Sequence, residues 1–223
     1  MTRNDQNKRA PGAPGALSAR PRTSRKRRRA RLVRRAAAIT TIAVLAAALL
    51  GLGVWMLLLR HPDLVIQNYP MEYEALIRAR AEENGIPPAY AAAVILAESS
   101  YRSDAVSSAN AQGLMQLLPS TAEWIAGKHD EEYMEGCLFD PETNVKYGCW
   151  YLGFLMRRFG GDMRCATAAY HAGQGTVDQW LQNPEYSADG TSLDAIPYSS
   201  TDAYVKKVLK YYEKYQELYA QAG

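Results

Sequence analysis

A run of 24 residues without a charged side chain, residues 36–59, constrains this chain more than any other feature. At a rise of about 1.5 Å per residue, a helix of this length extends about 36 Å, and the hydrocarbon core of a membrane is about 30 Å thick. A cleaved signal peptide has a shorter apolar core of about 7 to 15 residues before a small-residue cleavage site. This run instead ends in Trp55, Met56 and three leucines. We therefore expect an uncleaved transmembrane signal-anchor helix that contacts membrane lipid.

The residues before this run are strongly basic. Residues 1–35 contain 13 of the 26 Lys and Arg residues and one of the 23 acidic residues, so the rest of the chain is net acidic. This composition predicts a disordered tail over 1–35. Because positive charge beside a spanning helix stays inside the cell, we expect a single-pass protein of the cell membrane with a cytoplasmic N-terminus. Topology then explains the charge and no nucleic-acid partner is expected, with tail binding to nucleic acid or anionic lipid as the alternative.

The residues after the apolar run indicate an all-α domain at 71–223, which follows a juxtamembrane linker at 60–70. Its length is sufficient for a core without disulfide support. Strand-like alternation is scarce, while apolar residues recur at helical spacing and Pro and Gly stand at the ends of the periodic segments. The predicted helices cover 71–84, 88–99, 119–127, 141–159, 163–172 and 201–220. Asp140 is expected to cap the helix that begins at Pro141, whereas Leu118 cannot cap the helix that begins at Pro119.

One carboxylate occupies an unusual position in the second of these helices. Glu98 follows Ala91, Val94 and Ile95 at the spacing that defines one helix face, so it shares the face expected to pack inward. Burial and the negative end of the helix dipole should both raise its pKa, as general acid catalysis near neutral pH requires. The alternative is that the side chain reaches solvent at the helix end or pairs with Arg102.

Three separated motifs around and after Glu98 resemble a known family. They are Glu98-Ser99, Gly113-Leu114-Met115-Gln116, and Ala169-Tyr170-His171-Ala172-Gly173. Together they resemble, in order and spacing, the lytic transglycosylases with the soluble-transglycosylase (SLT), lysozyme-like catalytic domain. The resemblance covers about residues 70 to 215 and implies a lysozyme-like helical fold in a membrane-anchored form.

The resemblance implies that Glu98 is the sole catalytic acid/base of a lyase acting on peptidoglycan glycan strands. Glu98 would protonate the bridging oxygen between N-acetylmuramic acid and N-acetylglucosamine, and would then take the proton of the C6 hydroxyl, so that a 1,6-anhydro end forms. Most glycoside hydrolases use two carboxyl groups, and Asp104 is the nearest second candidate.

The resemblance and the residue chemistry together assign substrate contacts to eight residues: Ser99, Ser107, Gly113, Met115, Gln116, Tyr170, His171 and Tyr204. Gly113 would allow close approach of its backbone to the sugar, and Met115 and Gln116 would supply an adaptable apolar contact and an amide. Ser107 corresponds to a family serine that looks placed to bind the acetamido group, and Tyr170 would hold Glu98 or the sugar. The alternatives are core packing for Met115, Tyr170 and Tyr204 and a turn role for Ser107.

Three positions depart from the family pattern, and one of them is Asn110, which replaces a common Gly before Ala111. His171 stands where Asn is usual, which would bring a pH-sensitive group into the groove. Ser200 stands where Glu is usual, in a segment from Ile196 to Val205 that otherwise matches, and Tyr204 keeps the tyrosine that lines the family groove beside the acid.

We predict no metal ion and no cofactor, since the three histidines are scattered and no paired metal-ligand motif occurs. Among the three cysteines, Cys137 and Cys149 could form a disulfide if the loop between them folds back, with buried free thiols as the alternative. The sequence identifies no protein partner among the cell-envelope machinery. A water-using lysozyme and a non-catalytic peptidoglycan-binding scaffold are the competing functions.

Overall fold

The computed structural model describes residues 23–60 and 68–219, which divide into two compact units at His61 and Pro62. The first unit contains helix α1 (Thr23–Arg60). Within the described ranges, its segment Arg27–Leu57 is the one stretch of helix long and apolar enough to cross a membrane. Leu49 and Leu50 are 68% and 71% exposed, and an exposed apolar surface of this size marks a site of contact with a membrane or a protein partner.

Helix α1 begins earlier than the sequence predicts. A disordered tail is expected over 1–35, but the chain is helical from Thr23 onward. Arg, Lys and Ala have high helix propensity, and extending an existing helix costs far less than starting one. The remainder of the expected tail, residues 1–22, lies outside the described residues.

The second unit is built from seven α-helices within residues 68–219. They are α2 (Glu74–Glu83), α3 (Pro88–Glu98), α4 (Pro119–Lys128), α5 (Pro141–Arg158), α6 (Met163–Ala172), α7 (Gln174–Leu181) and α8 (Ser199–Tyr219). A short 3-10 helix (Cys137–Phe139) precedes α5. In the described residues no strand forms, and the loop between α3 and α4 has two isolated bridges at Gln112. The expected all-α class is therefore confirmed.

Helix α3 lies at the centre of the core because it is apolar around most of its circumference. Residues 90–95 are all fully buried. The helix packs against α2 and α8, while α5 packs against α2, α4 and α6. As expected, the Asp140 carboxylate caps α5 by accepting from the Thr143 N–H at 2.9 Å, and Leu118 provides no side-chain cap for α4.

Two segments depart from the predicted boundaries. Helix α7 is not predicted, because Gly173 (φ 88°) ends α6 and the helix restarts at the next residue, with only Val177 and Trp180 buried. Of the expected linker, residues 61–67 lie outside the described residues. Its end belongs to the second unit, where the Tyr215 hydroxyl donates to the Pro70 carbonyl at 2.5 Å and the Tyr219 hydroxyl donates to the Tyr69 carbonyl at 2.9 Å.

Candidate active site

Glu98 is the last residue of α3, where the buried helix face reaches the surface. Its side chain is half-buried, and one carboxylate oxygen accepts a hydrogen bond from the Tyr204 hydroxyl on α8 at 2.5 Å. Burial raises the pKa of the Glu98 carboxyl, while the Tyr204 hydrogen bond and the charge of Lys207 act in the opposite direction. The alternative pairing with Arg102 does not form, and the Arg102 Nε donates instead to the Ser99 carbonyl at 3.1 Å.

Lys207 is a neighbour of Glu98 that the sequence did not reveal. Its Nζ donates to the carbonyl of Ala97 at 2.9 Å and lies 5.7 Å from the centre of the Tyr204 ring. Lys207 and Tyr204 are three residues apart on α8, so they share one helix face. This spacing identifies Lys207 as a neighbour of Glu98 only once the tertiary structure shows that α8 packs against the end of α3.

His171 lies beside Tyr204 at the C-terminal end of α6. The two ring centres are 4.6 Å apart, and His171 Nδ1 is 3.1 Å from the Thr201 hydroxyl. Burial and the charge of Lys207 both lower the pKa of His171. The imidazole is therefore mainly neutral at neutral pH and can donate and accept hydrogen bonds.

Tyr170 lies near Glu98, but its hydroxyl does not hold the carboxyl. The hydroxyl donates to the Met115 carbonyl at 2.7 Å. Burial and the charge of Glu98 raise the pKa of Tyr170 well above its usual value, so the phenol stays protonated and able to donate. Tyr204, the other tyrosine of the site, supplies the hydrogen bond to the carboxyl instead.

Gly113 has a different role from the expected close approach to sugar. It is buried with φ +75°, and a Cβ at this position would lie 2.1 Å from the Leu138 carbonyl oxygen and 2.2 Å from Asn144 Nδ2. Protein atoms therefore occupy the space that a side chain would take.

Asn144 on α5 holds the loop that contains Gly113. Its Oδ1 accepts from the Met115 N–H at 2.8 Å, and its Nδ2 donates to the carbonyls of Gln112 and Leu138 at 2.9 and 2.8 Å. Sequence reasoning missed this fully buried amide. Its position beside Val145 on the inward face of α5 was the available signal, because an unpaired amide is costly there.

Two residues expected to bind substrate are buried in the protein. Met115 is 0% exposed, with its sulfur packed into the space left by Gly148, and Ser99 is 2% exposed. The Ser99 hydroxyl donates to the Leu114 carbonyl at 2.7 Å and so joins the end of α3 to the loop. The expectation that these two side chains contact a ligand directly is therefore wrong. Both side chains instead support the loop.

Gln116 and Ser107 use only part of their hydrogen-bonding capacity within the protein. Gln116 Nε2 donates to the carbonyls of Ala105 and Gly113 at 3.0 and 2.9 Å, and its side chain borders a cleft. The Ser107 oxygen accepts from the Ala111 N–H at 3.0 Å, which forms a turn. This bond leaves the hydroxyl proton of Ser107 available to a ligand.

An open cleft of about 270 Å³, which we call the main cleft, lies against these residues. It is lined by Gln116, Leu117, Leu118, Thr121, Tyr151, Tyr170, His171, Ala172 and Gly173. The mixture of aromatic rings with a few amide and imidazole groups is typical of ligand sites. Tyr151 was not predicted, although it lies 5.5 Å from Tyr170 between ring centres.

All three cysteines are free thiols, so the disulfide between Cys137 and Cys149 does not form. Among the residues described, no group of three or more His, Cys, Asp or Glu side chains could hold a metal ion. Asp104 is exposed in the loop after α3.

A half-buried acid with a raised pKa, bonded to a tyrosine near an open cleft, is an arrangement typical of sites that use general acid catalysis. Residues 75–192 match the family described as the transglycosylase SLT domain. The chain belongs to this family, as its motifs indicated.

Named relatives agree with this family. The soluble lytic murein transglycosylase of Escherichia coli (strain K12) is 36% identical over 152 residues, which cover 67% of this chain and 24% of the relative. The membrane-bound lytic murein transglycosylase C of Actinobacillus pleuropneumoniae serotype 5b (strain L20) is 32% identical over 170 residues, covering 65% and 46%. The chain thus spans about a quarter of the length of the first relative and less than half of the second.

Solved structures confirm the lysozyme-like SLT fold. The 70 kDa soluble lytic transglycosylase from Escherichia coli is 36% identical, with a TM-score of 0.62, over 67% of this chain and 25% of that one. An inactive Glu-to-Gln mutant of the lytic transglycosylase Slt from Pseudomonas aeruginosa is 32% identical, with a TM-score of 0.61, over 67% and 24%.

Proposed function

We propose that this chain is a membrane-anchored lytic transglycosylase that cleaves peptidoglycan glycan strands, with Glu98 as its single general acid/base. The observation that carries the proposal is the half-buried Glu98 carboxyl, which has a raised pKa and accepts from Tyr204 in a chain of the SLT family. The names of the relatives support murein as the substrate. The inactive Glu-to-Gln mutant of the Pseudomonas relative supports an essential glutamate in this kind of site.

In the proposed reaction, protonated Glu98 donates its proton to the oxygen between N-acetylmuramic acid and N-acetylglucosamine as that bond breaks. The 2-acetamido group of the sugar stabilises the positive charge at C1. The Glu98 carboxylate then accepts the proton of the C6 hydroxyl while the oxygen of that hydroxyl forms a bond to C1. The enzyme returns to its starting state, the product carries a 1,6-anhydro end, and water is not consumed.

The site residues have three roles in this proposal. Tyr204 and Lys207 set the protonation of Glu98, and Tyr170, His171 and Gln116 face the sugar from the wall of the main cleft. The Ser107 hydroxyl donates a hydrogen bond to the acetamido oxygen of the sugar. Ser99, Gly113 and Met115 keep the loop in place and act on substrate only through it.

The proposed location is the cell membrane, with residues 36–59 in the bilayer, the N-terminus in the cytoplasm and the second unit outside. The exposed apolar surface of α1 and the basic residues at its start support this orientation. The membrane-bound relative supports attachment of such a domain to a membrane.

Mass spectrometry of products tests the chemistry. The full chain in detergent micelles is incubated with purified peptidoglycan, beside Glu98→Gln and the control Glu82→Gln, which changes an exposed acid on α2. We expect anhydro ends from the wild type and the control, and a loss of about 100-fold or more from Glu98→Gln. Reducing ends would instead identify a lysozyme-type hydrolase, and an absence of cleavage by the folded wild type would favour a binding scaffold.

A further inference from the structure

Four aromatic side chains on α4 and α5, namely Trp124, Trp150, Tyr151 and Phe154, form a connected group that we call the aromatic platform. Trp124 meets the other three rings edge-on, at 5.4 Å, 6.2 Å and 5.3 Å between ring centres. Trp150 and Phe154 are stacked within 8° of parallel. Because three rings contact Trp124, its indole is held in one orientation. Trp124 is still 36% exposed, so the indole is accessible at the protein surface.

The platform borders a second cleft of about 230 Å³, which we call the distal cleft. It is lined by Ser120, Thr121, Trp124, Tyr151 and Gln174. Thr121 and Tyr151 also line the main cleft, and Gln174 directly follows Gly173 of the main cleft. The two clefts are therefore neighbouring parts of one groove, with the platform at the end formed by Trp124.

The lining of the distal cleft suits a sugar ring. A pyranose has an apolar face of C–H groups that packs on an aromatic ring, and a rim of hydroxyls that bond to polar side chains. The Ser120 and Thr121 hydroxyls and the Gln174 amide provide donors and acceptors of this kind. In the part of the chain that is described, none of these three side chains is engaged in a hydrogen bond with another residue.

We propose that Trp124 forms a distal binding position for a sugar ring of the same glycan strand whose reacting bond lies at Glu98. The inference rests on the proposed function, because it takes that function's substrate as the occupant of the groove. A polymeric substrate continues beyond the main cleft, and the distal cleft is the continuation that the shared residues provide. Trp124 thus makes affinity depend on strand length.

Binding measurements in the Glu98→Gln background separate this inference from catalysis. The full chain in detergent micelles is titrated calorimetrically with peptide-free peptidoglycan glycans, a disaccharide and an octasaccharide. Trp124→Leu keeps apolar contact with the platform but lacks a flat ring, and Trp124→Phe keeps a flat ring. Tyr198→Ala is the matched control, because Tyr198 is a 56% exposed aromatic residue that lines neither cleft.

We expect Trp124→Leu to weaken octasaccharide binding by about tenfold, equivalent to about 1.4 kcal/mol, because the flat ring that stacks on the sugar is lost. Trp124→Phe keeps a flat ring and should bind within about threefold of the parent. Disaccharide binding and the Tyr198→Ala variant should be unchanged. Equal octasaccharide affinity in Trp124→Leu and its parent, or an equal loss for both glycans, would overturn the inference. If instead the Glu98-containing wild type forms no anhydro ends but the length-dependent loss persists, the proposed chemistry fails while the distal position stands.

Discussion

The pKa of Glu98 is subject to opposing influences, which suits the proposed role of this residue as first an acid and then a base. Burial raises the pKa of the carboxyl, and the Tyr204 hydrogen bond and the Lys207 charge lower it. A carboxyl influenced by burial alone would stay protonated but would be a weaker acid, so it would hold its proton more strongly in the first step of the proposed reaction. The two side chains of α8 therefore moderate the acid at the end of α3.

Tyr204→Phe tests the hydrogen bond at Glu98. Removal of a donor that stabilises the carboxylate should raise the pKa of Glu98, so the decline of kcat/KM at high pH should move upward by about one unit. The measurement is a pH profile of anhydro-product formation. Tyr170→Phe is the control, since the Tyr170 hydroxyl donates to Met115, and its profile should keep the parental position. A Tyr204→Phe profile that stays in place would refute this role of the hydrogen bond.

Lys207→Gln tests the charge at Glu98. Loss of the cation should move the same decline upward by about half a unit, and added salt should narrow the difference from the wild type because charges are screened. Lys206→Gln is matched in type and helix, but Lys206 pairs with Asp202 at 2.6 Å and is largely exposed. Its profile should coincide with that of the wild type. A shift of the same size in both variants would mean that overall charge, not Lys207, is responsible.

The loop between α3 and α4 is held by α5 in addition to its own hydrogen bonds. Asn144 bonds to three backbone groups of this loop and of the 3-10 helix, and the amide fills the space beside Gly113. The GLMQ motif is therefore a packing motif at Gly113 and Met115, and Gln116 is its member at the cleft.

Gly113→Ala measures the tightness of this packing. A Cβ would collide with backbone and amide atoms at 2.1 and 2.2 Å and would stand at φ +75°, so we expect a loss of about 3 kcal/mol in the free energy of unfolding. Gly136→Ala is the control, since Gly136 has φ +83° but no atom within 4 Å of the added Cβ. It should cost about 1 kcal/mol. Equal losses in denaturant unfolding would show that backbone strain, not collision, explains the requirement for glycine.

At the scale of the whole chain, α1 and the helical domain differ in whether their apolar side chains are buried. The domain buries its apolar residues in a core of its own, whereas the apolar side chains of α1 are exposed. In the proposed topology, α1 crosses the membrane and the basic residues at its start determine its orientation.

Neutralising these charges tests the topology. Replacing the six Arg residues at 27, 28, 29, 31, 34 and 35 with Gln should reduce export of the second unit, measured with a C-terminal alkaline phosphatase fusion that is active only outside the cytoplasm. Neutralising Arg3, Lys8 and Arg9, which lie far from the apolar run, should leave export intact. Undiminished export in the first variant would contradict an orientation set by charge.

The sequence by itself determined which segments become helices and what kind of residue performs the proposed chemistry. Helical spacing and the Pro and Gly residues at its limits are local properties, so α3, α4, α5 and α6 were predicted within one or two residues of their bounds. Among the described helices, α7 and the short 3-10 helix at Cys137–Phe139 were not predicted, because segments of eight and three residues have too few apolar repeats to stand out. The position of Glu98 on an apolar face indicated an acid with a raised pKa.

Only the tertiary structure decided which side chains touch that acid. Tyr204 is 106 residues from Glu98 in the chain, and its hydroxyl reaches the carboxyl because α8 packs across α3. In the same way, the tertiary structure assigned Gly113 and Met115 to packing and brought Trp124 beside the groove. Helix periodicity depends on neighbours within about four residues, whereas contacts between helices depend on the packing of the whole core, which no local pattern specifies.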